Sequence, residues 1–401
     1  LLVHSCETGA IEDARFSDLP LVVKNLRERT GAEEILFVAN DSRVYPARVR
    51  MRRATGARGE VFVLRPTGPG PWECLLRPLK KLRLGELLFA DSMGDGAGGE
   101  TLDPLFRVES LDPPRVSLAT QDTVDANDPA RLAGVLARFG EMPLPPYIER
   151  DPARLAAKSA EAAASTHAAL DAQRYQTVYA GNERGSAAAP TAGLHFTPEI
   201  MRACEANGAR FSFVTLHVGL GTFAPVQSDA VADHPMHEEW CVVPEALARE
   251  LEDNRRARQE ELASGRPPRT LVVFVGTTAL RTVESYFRFE GKPGVWFPTR
   301  LFLYPDESDE RTLPAVGDAL LTNFHQPEST LVMLVAALVG NSRWRPLYEH
   351  AMGQGYRFFS YGDSSLLLLS REAGAVCGGT AGHLAQPQPT APKGPPEDST
   401  P

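Results

Sequence analysis

Cysteine is scarce in this chain: five in 401 residues, at Cys6, Cys74, Cys204, Cys241 and Cys377, scattered and odd in number. No Cys-x-x-Cys pair occurs. That argues against a disulfide scaffold or a cysteine-rich zinc site, and for a reducing, cytoplasmic setting. Long apolar runs are also lacking. The longest, "TLVMLVAALVG" from Thr330 to Gly340, falls well short of the ~20 residues a membrane helix needs. The opening "LLVHSCETG" has neither a basic leader nor a cleavage site, so no signal peptide is expected. It has no initiator Met, which makes a longer parent chain the expectation. An overall excess of positive charge is missing too. The net charge is −9, which taken alone disfavours nucleic acid.

The charge is uneven, however. Between Asn40 and Ala90 stand eleven basic residues (Arg43, Arg48, Arg50, Arg52, Arg53, Arg58, Arg65, Arg77, Lys80, Lys81 and Arg83) against four acids. That stretch carries +7 and the remainder −16. Such asymmetry suggests a polyanion-binding region, or a basic strand face balanced by acidic neighbours.

At 43% hydrophobic and 23% charged, the chain has ample core material for two or three domains. Residues 44–118 alternate β-prone runs with Gly/Pro turns: "VYPARVRM", "GEVFVLRP", "WECLLRP", "GELLFA", "LFRVES" and "RVSLAT". This spacing predicts a small β-barrel or sandwich. Then come a capped helix, "DPARLAGVLARFG", and an Ala-rich helical stretch, "DPARLAAKSAEAAASTHAALDAQRYQ". Beyond Gly185 helices and strands alternate, the pattern of an α/β domain. Helices are expected at "TPEIMRACEANG", "PEALARELEDNRRARQEELA", "ALRTVESYFRF" and "PESTLVMLVAALVG". Strands are expected at "RFSFVTL", "TLVVFV", "DALLTNF" and "YRFFSYG". The Gly- and Pro-rich residues 372–401 predict a disordered tail.

Four of these strands run into polar, small-residue loops: "HVGLGT", "GTTALR", "HQPEST" and Asp363. Carboxyl ends of parallel strands form the ligand site in α/β domains, so these four would meet on one rim. "HVGLGT" allows three readings. "GLGTFA" matches a dinucleotide loop, but Pro225 and a non-helical sequence follow it, so the phosphates would lack a helix N-terminus. His195, His217, His234, His237 and His325 could supply a metal site, although no His-Glu-x-x-His signature appears. The third reading is a pocket rim, where glycines let backbone approach a flat ligand.

Taken in order, "NDSRVYPARV", "RPLKKLRLGELLF", "GEMPLPPYIER", "RYQTVYA", "AAAPTAGLHFTPE", "FVTLHVGLGTFAPV", "DHPMHEEW", "VGTTALRTVES", "LLTNFHQPESTLVMLVAAL" and "YRFFSYGDS" resemble the S-adenosylmethionine:tRNA ribosyltransferase-isomerase family of queuosine biosynthesis. The resemblance covers roughly residues 1–370. It implies a distorted α/β barrel with an inserted small β-barrel domain. The expected division is 1–43 as the start of the α/β domain, 44–125 as the insert, 126–371 as the main catalytic domain and 372–401 as the tail. The family has a further segment before this chain's first residue. The family's Gly at position 306 is Asp here.

The implied reaction moves and isomerises the ribosyl unit of S-adenosylmethionine. The acceptor is 7-aminomethyl-7-deazaguanine at the wobble position of a tRNA with a GUN anticodon. Epoxyqueuosine-tRNA, adenine and methionine are the implied products. S-adenosylmethionine is substrate; no metal or redox cofactor is implied, no membrane, and a monomer is expected. Such chemistry needs a base, a proton donor for adenine and an anchor for the methionine carboxylate. His217 and His325 are candidates for proton transfer, oriented by Asp363 or Glu239. Arg281 suits the carboxylate, although it could instead pair with Glu284 one turn on. Thr277 and Thr278 suit ribose or carboxylate oxygens. Thr191, His195, Gly219, Gly221, Thr222, Asn323 and Tyr361 complete the expected substrate pocket. Arg52, Arg53, Lys80 and Lys81 are the residues expected to touch tRNA.

Overall fold

The computed structural model describes residues 1–6, 8–64, 70–91, 103–120, 122–145, 148, 170–171, 173–181, 184–219, 234, 236–305 and 311–369. Gly221 and Thr222 of the expected pocket, Asp306, most of the Ala-rich stretch and the tail lie outside the described residues.

Period-2 alternation builds the first unit. In Arg48–Arg53, Val49 and Met51 are buried while the arginines between them face outward. This strand pairs with Arg58–Val63 on one side and Leu87–Ala90 on the other. Trp72–Arg77, Pro114–Leu118 and Pro104–Leu111 complete the circuit, so six strands close into a barrel. These are the six β-prone runs of the sequence. The barrel core includes Val49, Met51, Val61, Leu76, Phe106 and Val116. Helix Pro129–Phe139, capped by Asp128, adds Leu132 and Leu136 to it. Directly after the helix, Gly140 and Glu141 pair with Val49 and Arg48.

The second unit is a nine-strand mixed sheet. Its spatial order is Phe297–Thr299, Glu239–Val242, Ala209–Leu216, Glu34–Asn40, Thr270–Val275, Ala319–Asn323, Ser364–Leu368, Leu2–Ser5 and Ile11–Asp13. Four neighbours, from Ala209–Leu216 to Ala319–Asn323, are mutually parallel. Of these, Glu34–Asn40, Thr270–Val275 and Ala319–Asn323 are buried and largely apolar on both faces, as parallel strands covered by helices must be. In Glu34–Asn40, Leu36 and Val38 enter one core and Ile35, Phe37 and Ala39 the other. Helices Glu245–Ser264, Thr277–Arg288, Thr330–Val339 and Trp344–Gly353 cover the first face, and helices Leu19–Thr30 and Pro198–Ala206 the second. The fold is therefore mixed α/β with a closed β-barrel.

One expected strand is corrected. "YRFFSYG" forms a turn, and the strand that follows is Ser364–Leu368. Phe359 has φ 75°, a left-handed conformation that no strand accommodates. The aromatic residues there fill a core instead of alternating: Phe358 packs on Phe324 and Tyr348.

Candidate active site

The four parallel strands end on one rim. Ser364–Leu368 is antiparallel to Ala319–Asn323 and starts opposite Asn323, so Asp363 reaches the same rim from the other chain direction. Asn40, which sequence reasoning did not single out, fastens the centre. Its Nδ2 donates to the Leu216 carbonyl and to Thr278 Oγ1, and its Oδ1 accepts from the Leu216 and Ser42 amides. A buried amide with every group satisfied rigidifies its surroundings. The available signal was a polar residue closing the apolar run "EILFVAN".

Gly276 caps the next helix, Thr277–Arg288, with φ 86° and ψ 156°, a region essentially restricted to glycine. The turn lets Thr277 and Thr278 start the helix at the rim, both buried. Arg281 lies one turn further in. Sequence spacing allowed a pairing with Glu284. The structure corrects this: Glu284 binds Arg288 and the Ala315 amide, and Arg281 Nη1 donates to Glu239 Oε2 at 2.5 Å. Arg281 Nε donates to the Leu301 carbonyl, and the Gly219 amide donates to Glu239 Oε1. Nη2 of Arg281 is buried and has no hydrogen-bond partner among the described residues, in a residue only 4% exposed. Met236, His237, Leu303 and Leu334 line the pocket beside it.

A second cluster joins three expected residues. The single-turn helix Thr191–His195 presents Thr191 and His195 to Asn323. Asn323 Nδ2 donates to Thr191 Oγ1 at 3.2 Å, and Asn323 Oδ1 lies 2.9 Å from His195 Nε2. The His195 ring stacks on Phe16 at 5.0 Å. Burial pushes its pKa down, partly offset by Asn323 and Asp363.

The other candidates are more dispersed. His217 follows its strand, donates its amide to the Trp240 carbonyl and lies against Trp296. His325 Nε2 is 2.9 Å from Thr322 Oγ1, and burial pushes its imidazole down to about 4. Asp363, expected to orient a histidine, accepts from the Arg357 amide and guanidinium. Burial pushes its carboxyl up, but the Arg357 bonds prevail and hold it below the usual range. Glu239, the other expected orienting carboxylate, is engaged by Arg281 and Gly219 as described. Tyr361 is 39% exposed and lies edge-on to Tyr175.

On the barrel, acids at and beyond the ends of the basic stretch close on its arginines. Arg53 forms a two-point pair with Glu86, Arg52 and Arg58 share Asp91, and Arg50 meets Glu141. Lys80, Lys81 and Arg83 remain exposed around one short turn, next to the exposed Leu79 and Leu84.

Of the five histidines proposed for a metal, His195 is held by Asn323, His325 by Thr322 and His217 against Trp296, while His234, against Phe302, and His237 line one pocket. Among the described residues, no three His, Cys, Asp or Glu side chains form a metal-ligating group. The four described cysteines are buried and unbridged. None of the described helices is long and apolar enough to cross a membrane.

Comparison with known proteins agrees with the motif order. The S-adenosylmethionine:tRNA ribosyltransferase-isomerase of Ruegeria sp. (strain TM1040) is 42% identical over 341 residues, 83% of this chain and 84% of that one. The protein of the same name from Dinoroseobacter shibae is 42% identical over 374 residues, 91% of this chain and 90% of that one. A crystal structure of S-adenosylmethionine tRNA ribosyltransferase from Thermotoga maritima aligns over 92% of this chain and 91% of that one, at 27% identity and a TM-score of 0.43. Residues 1–367 match the family described as "Queuosine biosynthesis protein", and the chain belongs to that family.

Proposed function

We propose that this chain is an S-adenosylmethionine:tRNA ribosyltransferase-isomerase. In this reading it moves the ribosyl unit of S-adenosylmethionine to 7-aminomethyl-7-deazaguanine at the wobble position of tRNAs with a GUN anticodon. Family membership supports the activity. The observation that carries the site is the meeting of Asn40, Thr278, the Arg281–Glu239 pair and the His195–Asn323–Thr191 cluster along one sheet rim.

The chemistry begins at the sulfonium, whose positive charge acidifies the adjacent ribose carbon. Loss of a proton there permits elimination of adenine. The aminomethyl nitrogen then attacks the unsaturated sulfonium, and closure of the epoxide expels methionine. S-adenosylmethionine is consumed as substrate, and we assign no metal or redox cofactor. Arg281 is paired with Glu239, so it offers a fixed donor, Nη2, more than a free charge. With Leu303 and Leu334 beside it, that corner suits the methionine end of the substrate, a carboxylate on an apolar thioether chain. Thr277 and Thr278 face the ribose in this reading.

The barrel takes tRNA phosphates, which Lys80 and Lys81 neutralise. The nine-strand sheet is, in this reading, the distorted barrel that the resemblance implies. We further take the working unit to be a cytoplasmic monomer. The test is release of adenine and methionine in equal amounts from S-adenosylmethionine and precursor tRNA. Protein that binds both substrates yet releases neither overturns the assignment.

A further inference from the structure

We propose that His195, acting through Nδ1, is the base that takes the proton from the ribose carbon next to the sulfonium. This inference rests on the ribosyltransferase reading above.

Asn323 sets the tautomer of His195. Its side chain is buried and faces two acceptors on one side, Thr191 Oγ1 at 3.2 Å and the Ser360 carbonyl at 3.5 Å. A carbonyl oxygen only accepts, so the amide nitrogen must point that way and Oδ1 must point at His195. Oδ1 can only accept. The proton of a neutral His195 therefore sits on Nε2, donated to Asn323 across 2.9 Å. Nδ1 is left as the ring's lone-pair nitrogen. The ring cannot easily turn away, because Phe16 stacks on its face. Ala192, in the same short helix, packs against Gly276, where a Cβ would stand 3.4 Å from Ala192 Cβ. His195 is thus anchored beside the helix start that carries Thr277 and Thr278.

The two histidines expected to move protons, His325 and His217, are less suited. His325 has Nε2 engaged by Thr322 and is pushed down to about 4 by burial. His217 lies against Trp296. The charged groups acting on His195 are Asp363, which favours the imidazolium, and Arg357 and the Leu1 amino group, which oppose it. Burial outweighs them, so the ring is neutral and able to accept a proton at pH 7.

In the step itself, the ribose C–H bond breaks and an Nδ1–H bond forms. The electron pair stays on carbon beside the positive sulfur. The positive charge passes from the sulfonium species, now a neutral ylide, to the imidazolium. Asn323 touches no reacting atom and is a positioning residue.

His195→Gln retains an N–H donor toward Asn323 and deletes Nδ1. Adenine release should fall at least ~100-fold, the lower range for a general base, with S-adenosylmethionine Kd within about threefold of the parent. A kcat loss below about tenfold overturns the proposal, as does a Kd that weakens in step with kcat. Asn323→Asp places a carboxylate on Nε2–H and favours the imidazolium. The acid limb of the kcat–pH profile should then move up by about one unit or more. A variant that is slower but keeps the parent's limb marks Asn323 as purely structural and overturns this part of the argument. The parent protein is assayed alongside. No adenine release by the parent sinks the activity reading, whereas an active parent with an active His195→Gln variant sinks only this inference.

Discussion

Arg281 Nη1 lies 2.5 Å from Glu239 Oε2, and both side chains are buried. The pair ties the helix that opens at the rim to the strand Glu239–Val242, next to the edge strand Phe297–Thr299. Arg281→Ala leaves Glu239 charged and uncompensated, which costs roughly 3–5 kcal/mol. The urea midpoint should fall accordingly. Combining Arg281→Met with Glu239→Gln keeps an acceptor for the Gly219 amide and should restore much of that stability. If Arg281 also holds the substrate carboxylate, the double variant still binds S-adenosylmethionine about ten-fold more weakly. Parent-like affinity in calorimetry would assign the pair to the fold alone.

The barrel's arginines and lysines should behave differently. Ala at Lys80, Lys81 and Arg83 should weaken tRNA binding and flatten its salt dependence by about 0.7–0.9 for each phosphate no longer neutralised. Ala at Arg52 and Arg53, already neutralised by Asp91 and Glu86, should leave the slope nearly unchanged. Binding titrations at several salt concentrations decide it. Equal slopes for the parent and the triple variant would move the tRNA surface off this turn.

Acid should destabilise the protein well above the usual carboxylate range. His325 is held at about 4 against an ordinary 6.5, and burial also lowers His4 and His195. Below pH 6.5 the unfolded chain binds protons that the folded protein refuses. The stability contribution is therefore full above pH 6.5 and lost as pH falls toward 4, up to ~3 kcal/mol for His325. Unfolding free energies measured between pH 7.5 and 4.5 should drop in that window, and His325→Gln should shallow the drop. The same slope in both proteins would show that His325 is protonated freely.

Gly276→Ala should cost about 1–3 kcal/mol, because alanine meets backbone strain at φ 86° and ψ 156°. The space itself is adequate, with the new Cβ 3.4 Å from Ala192 Cβ. Thermal unfolding measures the loss. An unchanged melting temperature would mean the turn relaxes to another conformation, and Thr278 would then lose its bond to Asn40.

Chelation is expected to leave adenine release intact, since the proposed chemistry runs on protein side chains and the sulfonium. Activity abolished by a chelator and regained with zinc would favour a metal-dependent hydrolase instead.

Local pattern was enough for many of the elements. The six alternating runs between residues 44 and 118 became six barrel strands, and helix Pro198–Ala206 starts at Thr197, whose side chain caps Ile200. Alternation and caps are read within a few residues, where side-chain direction and the first free amides of a helix decide the outcome. The loops after "RFSFVTL", "TLVVFV" and "DALLTNF" were legible as strand ends, because a short apolar run bounded by a polar stop reads as a buried strand; their sharing one rim follows from the parallel pairing.

Partner choice was decided elsewhere. Arg281 found Glu239 and not Glu284, His195 found Asn323 across 128 residues, and the arginines of the barrel found Glu86, Asp91 and Glu141. None of these follows from spacing, because strand order and register bring the residues together only after the sheet is assembled. The aromatic run "YRFFSYG" read as a strand for its composition, yet Phe324 and Tyr348 offered its rings a core. The sequence alone determined most of the strands and helices and which stops are polar. The tertiary structure decided which charges neutralise one another and which histidine nitrogen keeps its lone pair, because those depend on the meeting of segments far apart in the chain.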